Sequence, residues 1–151
     1  MYEPFIEFQN FSDGPNQFYP LSEKEIAEAE TRLCYALPTE LRQFYREVGC
    51  GFFSKGRMQV ETDLLPINRI ISPGEAADLL LDQCDFGLPP EGLPAGSLPF
   101  MDIGEDSYFL MKPLSETPNA VFRASGTSII TDSFCDFMFQ LLDDSEFYDR
   151  R

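Results

Sequence analysis

The sequence predicts an α+β domain with a mainly antiparallel sheet of about four to six strands. Two N-terminal helices, a middle helix and a C-terminal helix are expected to pack on that sheet. Three observations lead there. Apolar residues recur at helical spacing through Ile26, Ala29, Leu33 and Leu37, and again through Leu41, Phe44, Tyr45 and Val48. Short apolar runs separated by turn residues fill positions 98–131, which implies a meander. A chain of 151 residues that is 43% hydrophobic is the size of one domain with a substantial core.

The first 18 residues read as an aromatic strap, the domain proper as 19–143, and 144–151 as a polar tail that frays. In the strap, Tyr2, Phe5, Phe8 and Phe11 recur at steps of three, followed by Phe18 and Tyr19. These rings either cover the core or form a sticky arm that pairs with another subunit. Ser22 and Glu25 form a capping box that starts the first long helix. Glu28 and Arg32 are spaced for an i,i+4 ion pair on its surface. Glu30 lies beside the apolar stripe, and a carboxylate there must be hydrogen-bonded or paired to tolerate burial. It is expected to brace the backbone N–H groups of a neighbouring loop. Pro38 fits the first turn of the second helix, and Gly49 and Gly51 end it, with residues 49–57 reading as a turn.

Met58, Val60, Thr62 and Leu64 alternate with polar residues, the pattern of a half-buried strand. Residues 67–71 read as a short edge segment. Ser72-Pro73-Gly74-Glu75 is a second capping box, opening a helix expected to run to about Cys84 and to bury Ala76, Ala77, Leu80, Leu81 and Cys84. Its outer face carries Glu75, Asp78 and Asp82. Residues 85–97 hold six Gly or Pro and read as an irregular loop. Strands are then expected at 98–103, 107–111, 120–124 and 127–130, joined by short connections and therefore antiparallel. Ser133 caps a last helix that buries Phe134, Phe137, Met138, Leu141 and Leu142.

Charge narrows the function. Lys and Arg number 11 against 26 Asp and Glu, a formal net charge of −15. Nucleic acid and anionic membrane surfaces are poor partners for such a chain. A basic protein is a suitable one. There is no histidine, which removes Ser-His-Asp triads, Cys-His pairs and His-based zinc sites. The four cysteines, Cys34, Cys50, Cys84 and Cys135, contain no C-x-x-C spacing. Cys34 and Cys84 sit in apolar helical contexts and read as reduced core thiols. No apolar run approaches the ~20 residues that span a bilayer, and the N-terminus lacks a signal-peptide pattern, so a soluble cytoplasmic protein is expected. Asp102, Gly104 and Asp106 suggest a calcium loop only superficially, because Pro113 stands where the bidentate Glu belongs. No metal, cofactor or catalytic residue is assigned.

The residues Ser22, Ile26, Glu30 and Leu33, then Leu37-Pro38, Leu41, Phe44-Tyr45, Gly49 and Gly51, resemble the opening signature of the SUKH superfamily. Leu98-Pro99-Phe100-Met101-Asp102-Ile103-Gly104 is similar to that family's strand and turn, and Ser133-Phe134 with Asp136-Phe137 to its C-terminal helix. The superfamily takes in fungal cell-wall-assembly regulators of the Smi/Knr type and many bacterial immunity proteins. The resemblance implies a binding domain without catalysis, whose partner is a cognate toxin, often a nuclease, or another cytoplasmic protein in a scaffold role. Self-association no stronger than a weak homodimer is expected.

The candidate binding surface is the acidic set Glu75, Asp78 and Asp82 with Asp102, Glu105 and Asp106. A standard interface takes ~800 Å² from each partner, and a fold of this size exposes on the order of 8,000 Å². Even spreading would therefore put only about 1.5 net charges in such a patch, so an acidic docking face requires clustering. Glu30, Pro38, Gly49 and Gly51 are assigned structural roles.

Overall fold

The structure is a computed structural model, and it describes residues 1–6, 17–53, 68–81, 93–104, 107–124, 127–144 and 147–150. Five helices are described: α1 (Glu3–Ile6), α2 (Glu23–Leu33), α3 (Thr39–Glu47), α4 (Pro73–Leu80) and α5 (Phe134–Asp143). The strands are β1 (Gln17–Tyr19), β2 (Cys50–Phe52), β3 (Arg69–Ile70), β4 (Leu98–Gly104), β5 (Ser107–Met111), β6 (Val121–Phe122) and β7 (Ile129–Thr131). They form one antiparallel sheet in chain order, β1 at one edge and β7 at the other. The α+β class is as expected, with seven strands rather than four to six.

Register divides the sheet into two faces. Phe18, Gly51, Ile70, Met101 and Phe109 are successive cross-strand partners, and the adjacent row is Gln17, Phe52, Arg69, Asp102 and Tyr108. Adjacent residues of a strand point to opposite sides. The first row faces the helices. Phe18 meets Phe44 of α3 with centroids 5.7 Å apart, and Phe109 meets Phe137 of α5 at the same separation. Tyr2 and Phe5 at the N-terminus join this core, both packing edge-on against Phe44. Tyr2, Phe5 and Phe18 are fully buried.

The helix ends are held by long-range hydrogen bonds. Ser22 and Glu25 complete the capping box of α2. Asn119 Oδ1 accepts the Glu40 N–H of α3 at 3.1 Å, and Glu40 Oε1 in turn accepts from Ser133 Oγ and the Cys135 N–H of α5 at 2.6 and 2.7 Å. Capping of this kind satisfies backbone donors that have no partner within the helix.

Several expectations are corrected. Residues Cys50–Phe52 are a strand rather than part of a turn, and Arg69–Ile70 lies inside the sheet between β2 and β4 rather than at an edge. Helix α2 stops at Leu33, so Leu37 is buried from the following loop. Cys34 closes α2 in the left-handed conformation (φ 66°) and is exposed, not a core thiol. Helix α4 ends at Leu80, and Leu81 is 40% exposed. Leu142 is half-buried. The C-terminal segment does not read as a purely polar end, because Phe147 and Tyr148 are buried in a 3-10 turn and the Tyr148 hydroxyl donates to Asn68 Oδ1. The strand expected at 58–64, and Phe8, Phe11 and Cys84, lie outside the described residues.

Candidate functional site

Helix α4 begins at Ser72, whose hydroxyl accepts the Glu75 N–H at 3.1 Å. The Glu75 carboxylate does not return to Ser72 to complete a capping box, because it is taken by Arg69. Arg69 Nη1 and Nη2 donate to the two Glu75 oxygens at 2.8 and 2.7 Å, and Nη2 also lies 3.2 Å from Asp102 Oδ2. This fork-to-fork pairing uses the planar guanidinium in a way an ammonium group cannot. The hydrogen bonds that it donates to Glu75, then the charge of Glu75 and the hydrogen bond and charge of Asp102, hold the Arg69 guanidinium protonated more firmly than usual, against the opposing effect of partial burial. Asp102 is fixed from behind by the Gly104 N–H, which donates to Oδ1 at 2.8 Å.

Asp78, one turn further along α4, accepts from Arg32 Nη2 at 2.5 Å, and Arg32 Nη1 donates to the Gly74 carbonyl. Arg32 therefore ties α2 to α4, while Glu28 lies 3.9 Å from Lys24 Nζ one turn back. The expected Glu28–Arg32 surface pair is replaced by this cross-helix arrangement. Of the acidic set, Glu75 and Asp102 are brought together by one arginine, and Asp78 is engaged by a second. Asp82, Glu105 and Asp106 lie outside the described residues.

The residues given structural roles hold the frame around this site. Glu30 Oε2 accepts the Leu37 N–H at 2.8 Å and Oε1 accepts from Arg42 Nε at 3.2 Å. Pro38 sits one residue before the first turn of α3, and its carbonyl accepts the Arg42 N–H. Gly49 has φ 115°, and a Cβ there would stand 1.9 Å from the Tyr19 carbonyl oxygen. Only glycine lets the end of α3 approach β1 so closely. Gly51, with φ 151°, belongs to the inner row of the sheet.

Sequence reasoning missed Arg69, Tyr19 and Phe52. Arg69 gave no signal, because its value depends on the β3–β4 register. Tyr19 and Phe52 were lost among many core aromatics, yet they are 53% and 41% exposed. Tyr19 pairs with Cys50 and Phe52 with Arg69, so all four occupy the outer sheet face together with Asp102. Burial, followed by the negative fields of Glu25 and Glu75, pushes the Cys50 thiol up, with Arg69 opposing. A separate groove of about 630 Å³ opens beside α3, where Arg42 and Arg46 both reach Glu23.

The sequence over residues 20–140 matches the SMI1 / KNR4 family (SUKH-1). The chain belongs to that family. It is also 38% identical over 80 residues to a Bacillus subtilis (strain 168) protein named Immunity protein YxxD, a stretch covering 53% of this chain and 50% of the relative. The shared region is thus about half the length of that relative. No solved structure matches. Among the described residues, no group of three or more His, Cys, Asp or Glu is placed to hold a metal ion, and no helix is long and apolar enough to cross a membrane.

Proposed function

We propose that this protein is an immunity protein that neutralises a cognate toxin by binding it, without making or breaking bonds, in the cytoplasm of the cell it protects. Membership of the SMI1 / KNR4 family across residues 20–140, joined to its likeness to a protein named for immunity, carries this reading. The acidity of the chain supports a basic partner. Attraction between a protein of net charge −15 and a basic domain steers encounter and raises the association rate, an effect that salt screens. A standard interface of ~800 Å² is about a tenth of the 8208 Å² this protein exposes, enough to occlude a toxin's working surface. The half-exposed Asp78 of α4 lies within the proposed contact region, and the charges of Asp78 and Asp82 are proposed to contribute to the approach.

The test is to read the frame adjacent to the one encoding this chain and, where it encodes a secreted protein ending in a small toxin domain, to co-express that domain with this protein. Restored growth and a one-to-one complex are the expected results. Continued killing, with the immunity protein present and folded, would overturn the reading and leave the scaffold role of the cell-wall regulators.

A further inference from the structure

We infer that the outer sheet face built from Tyr19 and Phe52, bordered by Glu75 and Asp102, is the docking surface for arginine or lysine side chains of a basic protein partner. This rests on the immunity reading and names the recognition chemistry that reading leaves open.

Four observations converge on this face. Among the described residues, Tyr19 and Phe52 are the two aromatic side chains left strongly exposed. The other exposed large hydrophobics are aliphatic or sulfur-containing: Met1, Ile6, Leu81, Leu114 and Ile129. Tyr19 and Phe52 lie on neighbouring strands and on the same side of the sheet, since Tyr19 pairs with Cys50, two residues from Phe52 along β2. Such diagonal neighbours are roughly 7–8 Å apart, near enough for both rings to take part in one contact.

The border is anionic. Arg69 stands directly across from Phe52, and it holds Glu75 and Asp102 at that edge of the aromatic pair. Among the described residues, two carboxylates against one guanidinium leave that edge with an excess of negative charge.

An aromatic face bordered by carboxylates fits an Arg or Lys side chain. The rings offer their π-faces to the cation and their area to its apolar stem, and the carboxylates supply charge-assisted hydrogen bonds. Exposed tyrosine and arginine dominate binding energy when both become desolvated at an interface centre. The long-range part of the match is the net charge of −15, which favours a basic partner over a neutral one. The close approach of Gly49 to the Tyr19 carbonyl sets the backbone position of β1, on which one of the two rings stands.

The experiment compares the protein with the variant Tyr19→Ser/Phe52→Ser by calorimetry against the candidate toxin domain taken from the co-expression test, with Leu114→Ser/Ile129→Ser as a control. The expected result is a Kd raised by ~30-fold or more for the first variant, the cost of losing a hot spot, with an unchanged melting temperature and an unaffected control. Wild-type affinity in the folded Tyr19→Ser/Phe52→Ser variant would overturn the inference and leave the immunity reading intact. Absence of any binding by the wild type would overturn the immunity reading instead, and an octa-arginine peptide then serves as probe. Amide shifts concentrated at Tyr19, Cys50, Phe52 and Arg69 uphold the cation-docking face, and shifts scattered over the whole acidic surface overturn it. Self-association that the double variant abolishes would assign the face to a second copy of the chain and overturn it too.

Discussion

Arg69 and Asp102 stand opposite each other across β3 and β4, and the guanidinium that meets Asp102 at 3.2 Å also takes both carboxylate oxygens of Glu75. One side chain thereby links two strands to the first turn of α4. It also fixes two carboxylates at the border of an exposed aromatic pair. The acids are not a loose halo of charge at this point; they are set in place by a cation that the sheet register supplies.

Replacing Arg69 with Met leaves Glu75 and Asp102 near each other without their shared partner. A loss of about 1–2 kcal/mol is expected, toward the lower end for a charged hydrogen-bonded group because the Glu75 side chain is 37% exposed. Urea denaturation measures it, and the double variant Arg69→Met/Glu75→Gln should recover part of the loss. An unchanged midpoint in Arg69→Met would show that the bridge contributes nothing to the fold.

Glu30 braces the Leu37 N–H and Arg42 with separate oxygens, and its side chain is only 17% exposed. Glu30→Ala strips the partner from a backbone donor and from a guanidinium, an expected cost of about 2–3 kcal/mol. Glu30→Gln keeps an acceptor and should lose less. Equal melting temperatures for wild type and Glu30→Ala would contradict the bracing role.

Two glycines with positive φ separate close approach from conformation. Gly96 has φ 76° with nothing within 4 Å of an added Cβ, so Gly96→Ala should cost only the left-handed penalty of about 1–2 kcal/mol. Gly49→Ala adds a clash with the Tyr19 and Pro20 backbone and should cost clearly more, above ~3 kcal/mol. Thermal melts of the two variants side by side make the comparison, and similar losses would argue against a close approach at Gly49.

Glu47 gives a pH signature. Burial alone would raise its carboxyl pKa, but the Tyr2 N–H, the Gln43 amide and the terminal ammonium together hold it below its usual 4.5. A depressed folded-state value means that the group contributes stability above about pH 4.5 and loses it as pH falls through the lower folded value. Glu47→Gln should therefore be less stable than wild type at pH 7, with the gap narrowing toward pH 3. A gap that stays constant between those pH values would show that the carboxylate charge is not what matters.

Much of the frame was legible in the sequence because its signals are local. Ser22 with Glu25 marked the start of α2, Ser133 that of α5, and short connections between apolar runs marked the β4–β7 meander. Other elements depended on partners far along the chain. Gly49 and Gly51 look like turn residues, and only pairing with β1 and β3 makes Cys50–Phe52 a strand. Cys34 follows an apolar helix, and its left-handed φ is invisible to periodicity. Phe147 and Tyr148 were hidden in a charged tail whose anchor, Asn68, lies 80 positions away. Spacing puts Glu75 and Asp78 on one helix face, but it does not show which arginine faces them. Arg69 and Arg32 are long-range partners, and the Tyr19–Phe52 pair requires strand order as well as composition.

Cross-saturation NMR on a labelled sample of this protein, bound to the unlabelled toxin domain, tests the docking account most directly. Strongest attenuation at Tyr19, Cys50, Phe52 and Arg69 is the expected result. Attenuation centred instead on α3 and α5, with β1 to β3 untouched, would contradict it.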